Sequence, residues 1–325
     1  MIGQALATRD TAPQPSAPEN IAPEEIAPGG RRLLRGTNAH AGAVRDHPSA
    51  TDPIVSRMRS EIGRLRRQCS RLLSQRRELE QQVRLAGRLQ RDLLPRSLDF
   101  ACLRIEALYQ PLEQVSGDIY DVARLDEQHI GISLADASGH GMPAGLVTAL
   151  LKRPFRGKQI VGDAYRILTP PEVLQRVNRD MMDHGLSDCG FVAGLHAVYH
   201  TPTRALTLAR GGLCYPILLR SGQPPRRIQS RGALIGALDA PVFEPVVVYL
   251  EPGDRMILYT DGLEALLLDR MQSARRDCIT QTAWYARLAQ RSLSESLDDI
   301  RVKLSTRDRA DWPADDVTIL ALTAR

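Results

Sequence analysis

Residues 129–141 read HIGISLADASGHG. Apolar Ile130, Ile132 and Leu134 alternate with small or polar residues, the period-two signature of a strand with one face buried. The run closes on Asp136 within a turn of small residues and glycines, so a carboxylate is offered at a strand tip where backbone can approach an ion. Working outward, LRIEALYQP (103–111), VAGLHAVYH (192–200), ALTLARGG (205–212) and RMILYTDG (255–262) show the same strand character. Helical patterns interleave at about 144–155, 171–184 and 271–304, the last free of internal Pro and Gly. Few of the strands are joined by regular strand–helix–strand alternation, which predicts an α+β fold with antiparallel sheets and helices packed outside.

Upstream of residue 97 the composition changes twice. Residues 1–53, with TAPQPSAPENIAPEEIAPGG at 11–30, are too poor in large apolar residues to offset the entropy of ordering, and are expected to form a disordered tail. Residues 54–96 carry Met58, Leu65, Leu72, Leu79, Ala86 and Leu93 seven apart, with Ile62, Cys69, Arg76, Val83 and Gln90 four residues after the first five. That a/d seam predicts a helix of about forty residues ended by Pro95, and a parallel homodimeric coiled coil. A single helix packed on the following domain is the other reading. Arg76 at an a position would need Glu78 or Glu80 beside it. Residues 97–325 form the remaining domain.

The chain has 325 residues, 43% hydrophobic and 25% charged, and a net charge of +5. The positive charge is local: residues 54–96 hold twelve Arg against four acids, whereas 97–325 carry about −2. Without aromatic platforms or a docking motif, the basic helix reads as a solvated face rather than a nucleic-acid binder. No stretch reaches the length of a membrane span, and the N-terminus lacks the apolar core of a signal peptide, so a cytoplasmic protein is expected. Five scattered cysteines without a CxxC pair fit reduced thiols.

Four aspartates share the strand-tip setting of Asp136: Asp118 in SGDIYD (116–121), Asp136 itself, Asp261 in LYTDGLEA (258–265) and Asp315 in ADDVTILAL (314–322). One Asp beside a Gly is ordinarily a turn residue. Four suit hard divalent cations, which take carboxylate, carbonyl and water oxygens. HExxH, Cys clusters, GxGxxG after a strand, GxxxxGK[ST] and GxSxG are all missing, which argues against zinc-protease, dinucleotide, Walker-type and serine-hydrolase chemistry.

The series LQRDLLP (89–95), SGDIYD, DASGHG before a helix, an Asn178-bearing helix, ALTLARGG, EPGDRMILYTDGLEA (251–265) and terminal DDVTIL (315–320) resembles the PPM (protein phosphatase 2C-like) superfamily. It is most similar to the bacterial stage II sporulation protein E and sigma-regulation phosphatase subgroup, over residues of about 86–325. The resemblance implies a sandwich of two antiparallel sheets flanked by helices. It also implies two Mn²⁺ or Mg²⁺ ions held by Asp118, Asp136, the Ala137 carbonyl, Asp261 and Asp315, with Asp316 a neighbour that tolerates replacement better. The implied reaction is hydrolysis of phosphoserine or phosphothreonine by a hydroxide bridging the metals, on a phosphoprotein of the anti-sigma-factor antagonist type.

His140 is either the acid that protonates the leaving alkoxide or a residue that caps the turn. Gly139 and Gly141 are expected to permit the backbone path. Asp121 either binds a water of the metal shell or solvates the strand end. Three residues depart from the subgroup's pattern. Ser116 replaces the first Gly of GGD, Ile119 a usual aromatic, and Leu213 with Cys214 an AGH-type turn. These departures are the support for a second reading, a catalytically weak phosphatase-fold module that binds a phosphoprotein without turnover. Retention of all four aspartates favours the enzyme.

Overall fold

The computed structural model of the chain describes residues 53–95, 98–185, 190–268, 279–306 and 315–325. The expected tail, 1–53, lies outside them except for Pro53. The chain divides into two units, Met1–Glu61 and Ile62–Arg325. Of the first, the described part is the opening of helix α1; the second holds everything else.

Helix α1 runs Pro53–Asp92, forty residues, close to the predicted length. Within the second unit, Ile62, Leu65, Leu72 and Leu79 of the seam are exposed, and Arg76 bonds Glu80 at 2.7 Å. The last two turns behave differently: Val83 and Ala86 are half-buried, Gly87 and Gln90 buried, an i, i+3, i+4, i+7 stripe facing the globular domain. Gln90 therefore does not face a partner helix as the seam predicted. Its Oε1 accepts from Ser116 N (2.9 Å), while its Nε2 donates to Ser116 O (2.7 Å) and Thr148 Oγ1 (3.1 Å). The packed-helix reading thus holds for the stretch after about residue 80; before it, within the second unit, the seam is exposed.

Downstream the chain runs β1 (Asp99–Phe100), β2 (Leu103–Gln110), β3 (Asp118–Arg124), β4 (His129–Ala137), α2 (Gly141–Leu151), β5 (Lys158–Val161), β6 (Ala164–Ile167), α3 (Pro170–Asp183), β7 (Val192–His200) and β8 (Ala205–Gly211). It continues with β9 (Ile217–Leu219), β10 (Arg226–Arg227), β11 (Val246–Tyr249), β12 (Arg255–Tyr259), α4 (Gly262–Leu267), α5 (Ala283–Arg287), α6 (Leu293–Thr306) and β13 (Val317–Ala324). Two antiparallel sheets result, β1-β2-β13-β12-β9-β10 and β11-β8-β7-β4-β3, beside the separate hairpin β5-β6. The predicted sandwich is correct.

Alternation builds the core between the sheets. Ile130, Ile132 and Leu134 of β4 meet Leu195, Leu206 and Leu208 of the same sheet and Leu103, Met256, Leu258 and Leu320 of the other, all essentially inaccessible to water. Outer layers hold α2 and α3 against one sheet and α4 to α6 against the other.

Helix boundaries moved where caps outrank apolar pattern. The helix expected at 144–155 is Gly141–Leu151. The one expected over 271–304 is broken: a 3₁₀ turn at Ile279–Gln281, then α5 and α6, with 269–278 outside the described residues. Thr282 caps α5 by accepting from Tyr285 N. Ser292 and Glu295 form the reciprocal bonds that start a new helix, a Ser-x-x-Glu signal legible in the sequence.

Glycine placement on α1 gives a paired test. A Cβ at Gly87 would lie 1.9 Å from Gln114 O, whereas one at Gly63 meets only Arg67 Nη1 at 3.5 Å. Gly63→Ala should stabilise the helix by up to about 1 kcal/mol. Gly87→Ala, forced against backbone, should cost about 1–3 kcal/mol. Thermal melts of the two variants check this; equal shifts would mean that the helix end is not docked.

Candidate metal centre

The four predicted aspartates come from both sheets and meet at one end of the sandwich. Asp118 opens β3 and Asp136 nearly closes β4, directly paired in the antiparallel register. Asp261 follows β12 at the head of α4, its side chain making no capping bond. Asp315 precedes β13. Their exposure is graded: Asp118 is buried, Asp136 and Asp315 are half-buried, and Asp261 is exposed, so the cluster runs from the interior out to the surface.

Asp118 is held from the opposite sheet. Thr318 Oγ1 donates to its Oδ2 at 2.6 Å and Thr260 Oγ1 at 2.9 Å, while Ser116 Oγ accepts from Asp118 N. These threonines went unread in the sequence, although each sits in a quoted motif, LYTDG and DDVT. Oδ1 of Asp118 is buried without a partner. An orphaned carboxylate oxygen inside a polar cluster is costly unless a cation or donor meets it.

Electrostatics point the same way. Burial and the facing Asp136 push the Asp118 carboxyl well above its usual range, the two threonines offsetting part of this. Asp136 is pushed up to about 8 by desolvation and by the charges of Asp261 and Asp315. Asp315 is also raised by desolvation, with Asp261 adding to it and the amide of Asp316 and the imidazole of His140 pulling the other way. Like charges that raise one another's pKa are relieved by a divalent cation. Among the described residues no group of three or more Asp, Glu, His or Cys side chains is drawn together as a metal-holding set; the four carboxylates share one region without forming a finished ligand shell, and their oxygens are of the kind hard cations take. Ala137 is buried, and a Cβ at Gly117 would lie 3.0 Å from its carbonyl oxygen.

Asp316, expected to be a neighbour of the metal ligands rather than one of them, has a structural part of its own. It is 2% exposed; its Oδ1 accepts from Leu112 N and its Oδ2 from Gly117 N, each at 2.6 Å. Both oxygens are spent tying the loop before Asp118 to the head of β13.

His140 is the residue preceding α2 but makes no side-chain cap, so the capping alternative is not what the fold uses. Its Nδ1 instead lies 2.8 Å from Glu113 Oε1. Gly139 and Gly141 have φ of 90° and 74°, the left-handed path expected of them. Asp121 neither solvates the strand end nor reaches the cluster; it pairs with Lys152 at 3.3 Å. Leu213 is buried in the core, and Asn178 ties α3 to the 236–238 segment by accepting from Gly236 N and donating to Leu238 O. These last two are structural.

The fold matches the SiaA-PP2C domain of Pseudomonas aeruginosa with a TM-score of 0.61 at 19% identity, covering 77% of this chain and 98% of that one. It matches the PP2C phosphatase domain and regulatory fragment of SpoIIE from Bacillus subtilis with a TM-score of 0.52 at 15% identity, over 70% and 64%. It is a PP2C-type domain. The Stage II sporulation protein E (SpoIIE) family profile matches residues 126–325, and the chain belongs to that family. Among curated proteins it is similar to the phosphoserine phosphatases RsbU and RsbP of Bacillus subtilis, 25% identical over 57% of this chain and 28% over 59%. The matches cover 54% and 46% of those proteins, so the chain spans about half the length of the curated relatives.

Two outcomes follow. Because burial and like charges raise the Asp118 and Asp136 carboxyls above the ordinary value of 3.8, their contribution to stability is complete below that value and declines as pH rises, the part from Asp136 being lost through about 8. The Tm of chelator-treated protein should fall across that interval, and saturating Mg²⁺ should flatten the fall; a flat profile before Mg²⁺ would contradict the burial argument. Asp316→Asn would set an amide donor against a buried N–H and should cost about 1–3 kcal/mol in chemical denaturation, rather than being mild.

Proposed function

We propose that the chain is a divalent-metal-dependent phosphatase acting on phosphoserine or phosphothreonine in a protein. The observation that carries this reading is the cluster of four aspartates from two sheets, with Asp118 Oδ1 buried and unpartnered, in a member of the SpoIIE family. The relatives named phosphoserine phosphatases support the substrate chemistry. When bound, two Mn²⁺ or Mg²⁺ ions supply Lewis-acid polarisation of the phosphoryl group and a more acidic water. Asp118, Asp136, Asp261, Asp315 and the Ala137 carbonyl are the residues that would hold them.

The chain's own residues do the rest. Thr260 and Thr318 hold Asp118 in one orientation, and Asp316 fixes the loop that leads to it. Glu113 accepts from Nδ1–H of His140; in the imidazolium form the ring would carry a second proton on Nε2, and giving it to the departing serine or threonine oxygen would return the neutral imidazole. Ser116, a departure from the subgroup's pattern, supports Asp118 rather than weakening the site. We place the enzyme in the cytoplasm, with an anti-sigma-factor antagonist as substrate, and as a dimer through the exposed seam of α1.

Hydrolysis of p-nitrophenyl phosphate and of a phosphoserine peptide should require added Mn²⁺ or Mg²⁺ and stop with EDTA. Asn at 118, 136, 261 or 315 should lower kcat/KM on the order of a hundredfold or more. His140→Ala should depress the phosphoserine reaction roughly a hundredfold and spare nitrophenyl phosphate, whose leaving group needs no proton. Equal losses on both substrates would remove His140 from the acid role. Sedimentation should show a dimer at tens of micromolar that Leu65→Asp/Leu72→Asp converts to a monomer; a wild-type monomer would sink the dimer.

A further inference from the structure

A cavity of about 570 Å³ lies beside β3, away from the carboxylate cluster. Four cations line it, Arg124, Lys152, Arg156 and Lys158, against one acid, Asp121. Lys152 is committed to Asp121 and to the carbonyl of Leu93. The other three form no ion pair among the described residues: Arg124 rests over the Phe100 ring, Lys158 over the Tyr165 ring, and Arg156 is exposed. Residues 121–125 all contribute to the lining. Successive residues of a strand point to opposite faces, so a cavity touched by five in a row wraps the strand's edge. β3 is the last strand of its sheet, and at its start Asp118 is already engaged, its N–H with Ser116 Oγ and its carbonyl with the Tyr109 hydroxyl.

The same strand begins with Asp118. Three residues of strand separate Asp118 from Asp121, about 10 Å, so a peptide with its phosphorylated residue at the aspartate cluster would place residues a few positions away among the cations. Charge makes the docking selective. The groove is basic and attracts an anionic segment. Exposed Ile160, Val161 and Tyr165 on the β5-β6 hairpin add apolar contact at its rim.

We propose that the basic groove beside β3 is a docking site for an extended acidic segment of the phosphoprotein substrate, flanking the phosphorylated residue. The segment lies in the groove, and its carboxylates meet Arg124, Arg156 and Lys158. This deepens the phosphatase reading and rests on it for the position of the phosphate. It assigns the enzyme a preference for acidic sequence context.

Two phosphoserine peptides of equal length test it, one with Asp and Glu at the positions two to four residues from the phosphoserine, the other with Asn and Gln there. Wild-type protein with Mn²⁺ should favour the acidic peptide at least tenfold in kcat/KM, mainly through KM, and the preference should shrink as salt rises from 50 to 500 mM. Arg124→Glu/Arg156→Glu/Lys158→Glu should abolish the preference and leave nitrophenyl phosphate hydrolysis unchanged; Arg124→Lys/Arg156→Lys/Lys158→Arg should keep it. Fluorescence anisotropy with the labelled acidic peptide, which needs no turnover, should show binding weakened at least tenfold by the triple Glu change alone. Equal binding of both peptides by wild type, or unchanged discrimination in the triple Glu variant, overturns the docking site and shows that the cations only keep a sheet edge from pairing. A protein that binds the acidic peptide selectively yet hydrolyses nothing leaves the groove standing and removes the phosphatase reading.

Discussion

Asp118 and Asp136 face each other across neighbouring antiparallel strands, one carboxyl sealed from water and the other half-covered. Two like charges so placed are unfavourable in the folded state. The architecture around them is organised to hold them there. Asp118 is clamped by two threonines of the opposite sheet. The loop before it is fixed by both oxygens of Asp316, about two hundred residues away in sequence. A closed set of bonds across two sheets keeps the carboxylates from relaxing apart, and this sets up electrostatic strain that a divalent cation relieves.

Helix α1 joins that arrangement from outside. Gln90 bonds both the amide and the carbonyl of Ser116, two residues before Asp118, and reaches Thr148 of α2, the helix that follows the His140 turn. The residues at the end of the heptad pattern thus brace the loop that leads to Asp118. The exposed leucines nearer the start of the helix have no such role within the chain.

Much of this was legible in the sequence, for definite reasons. Period-two alternation in residues 129–136 and 255–259 reflects burial of one strand face, so the strands and the antiparallel class followed. The four aspartates stand next to glycines or strand ends, which is where a chain can present oxygen donors. Other features were hidden because they depend on distant partners. Asp316 looked like the spare of an adjacent pair until its acceptors were seen bonded to Leu112 and Gly117. Gln90 fitted a heptad position, and nothing local distinguishes a seam glutamine from one docked on a neighbouring loop. The break at residues 288–292 was readable from Ser292 and Glu295, but continuous apolar patterning hid it.

Calorimetric titration of Mn²⁺ into chelator-stripped protein tests the account most directly. Two ions per chain should bind to the wild type, and Asp118→Asn, which keeps the fold's volume and removes the buried charge, should abolish or severely weaken binding at one or both. A folded wild-type protein that takes up no Mn²⁺, or an Asp118→Asn variant that binds two ions with undiminished affinity, would contradict it.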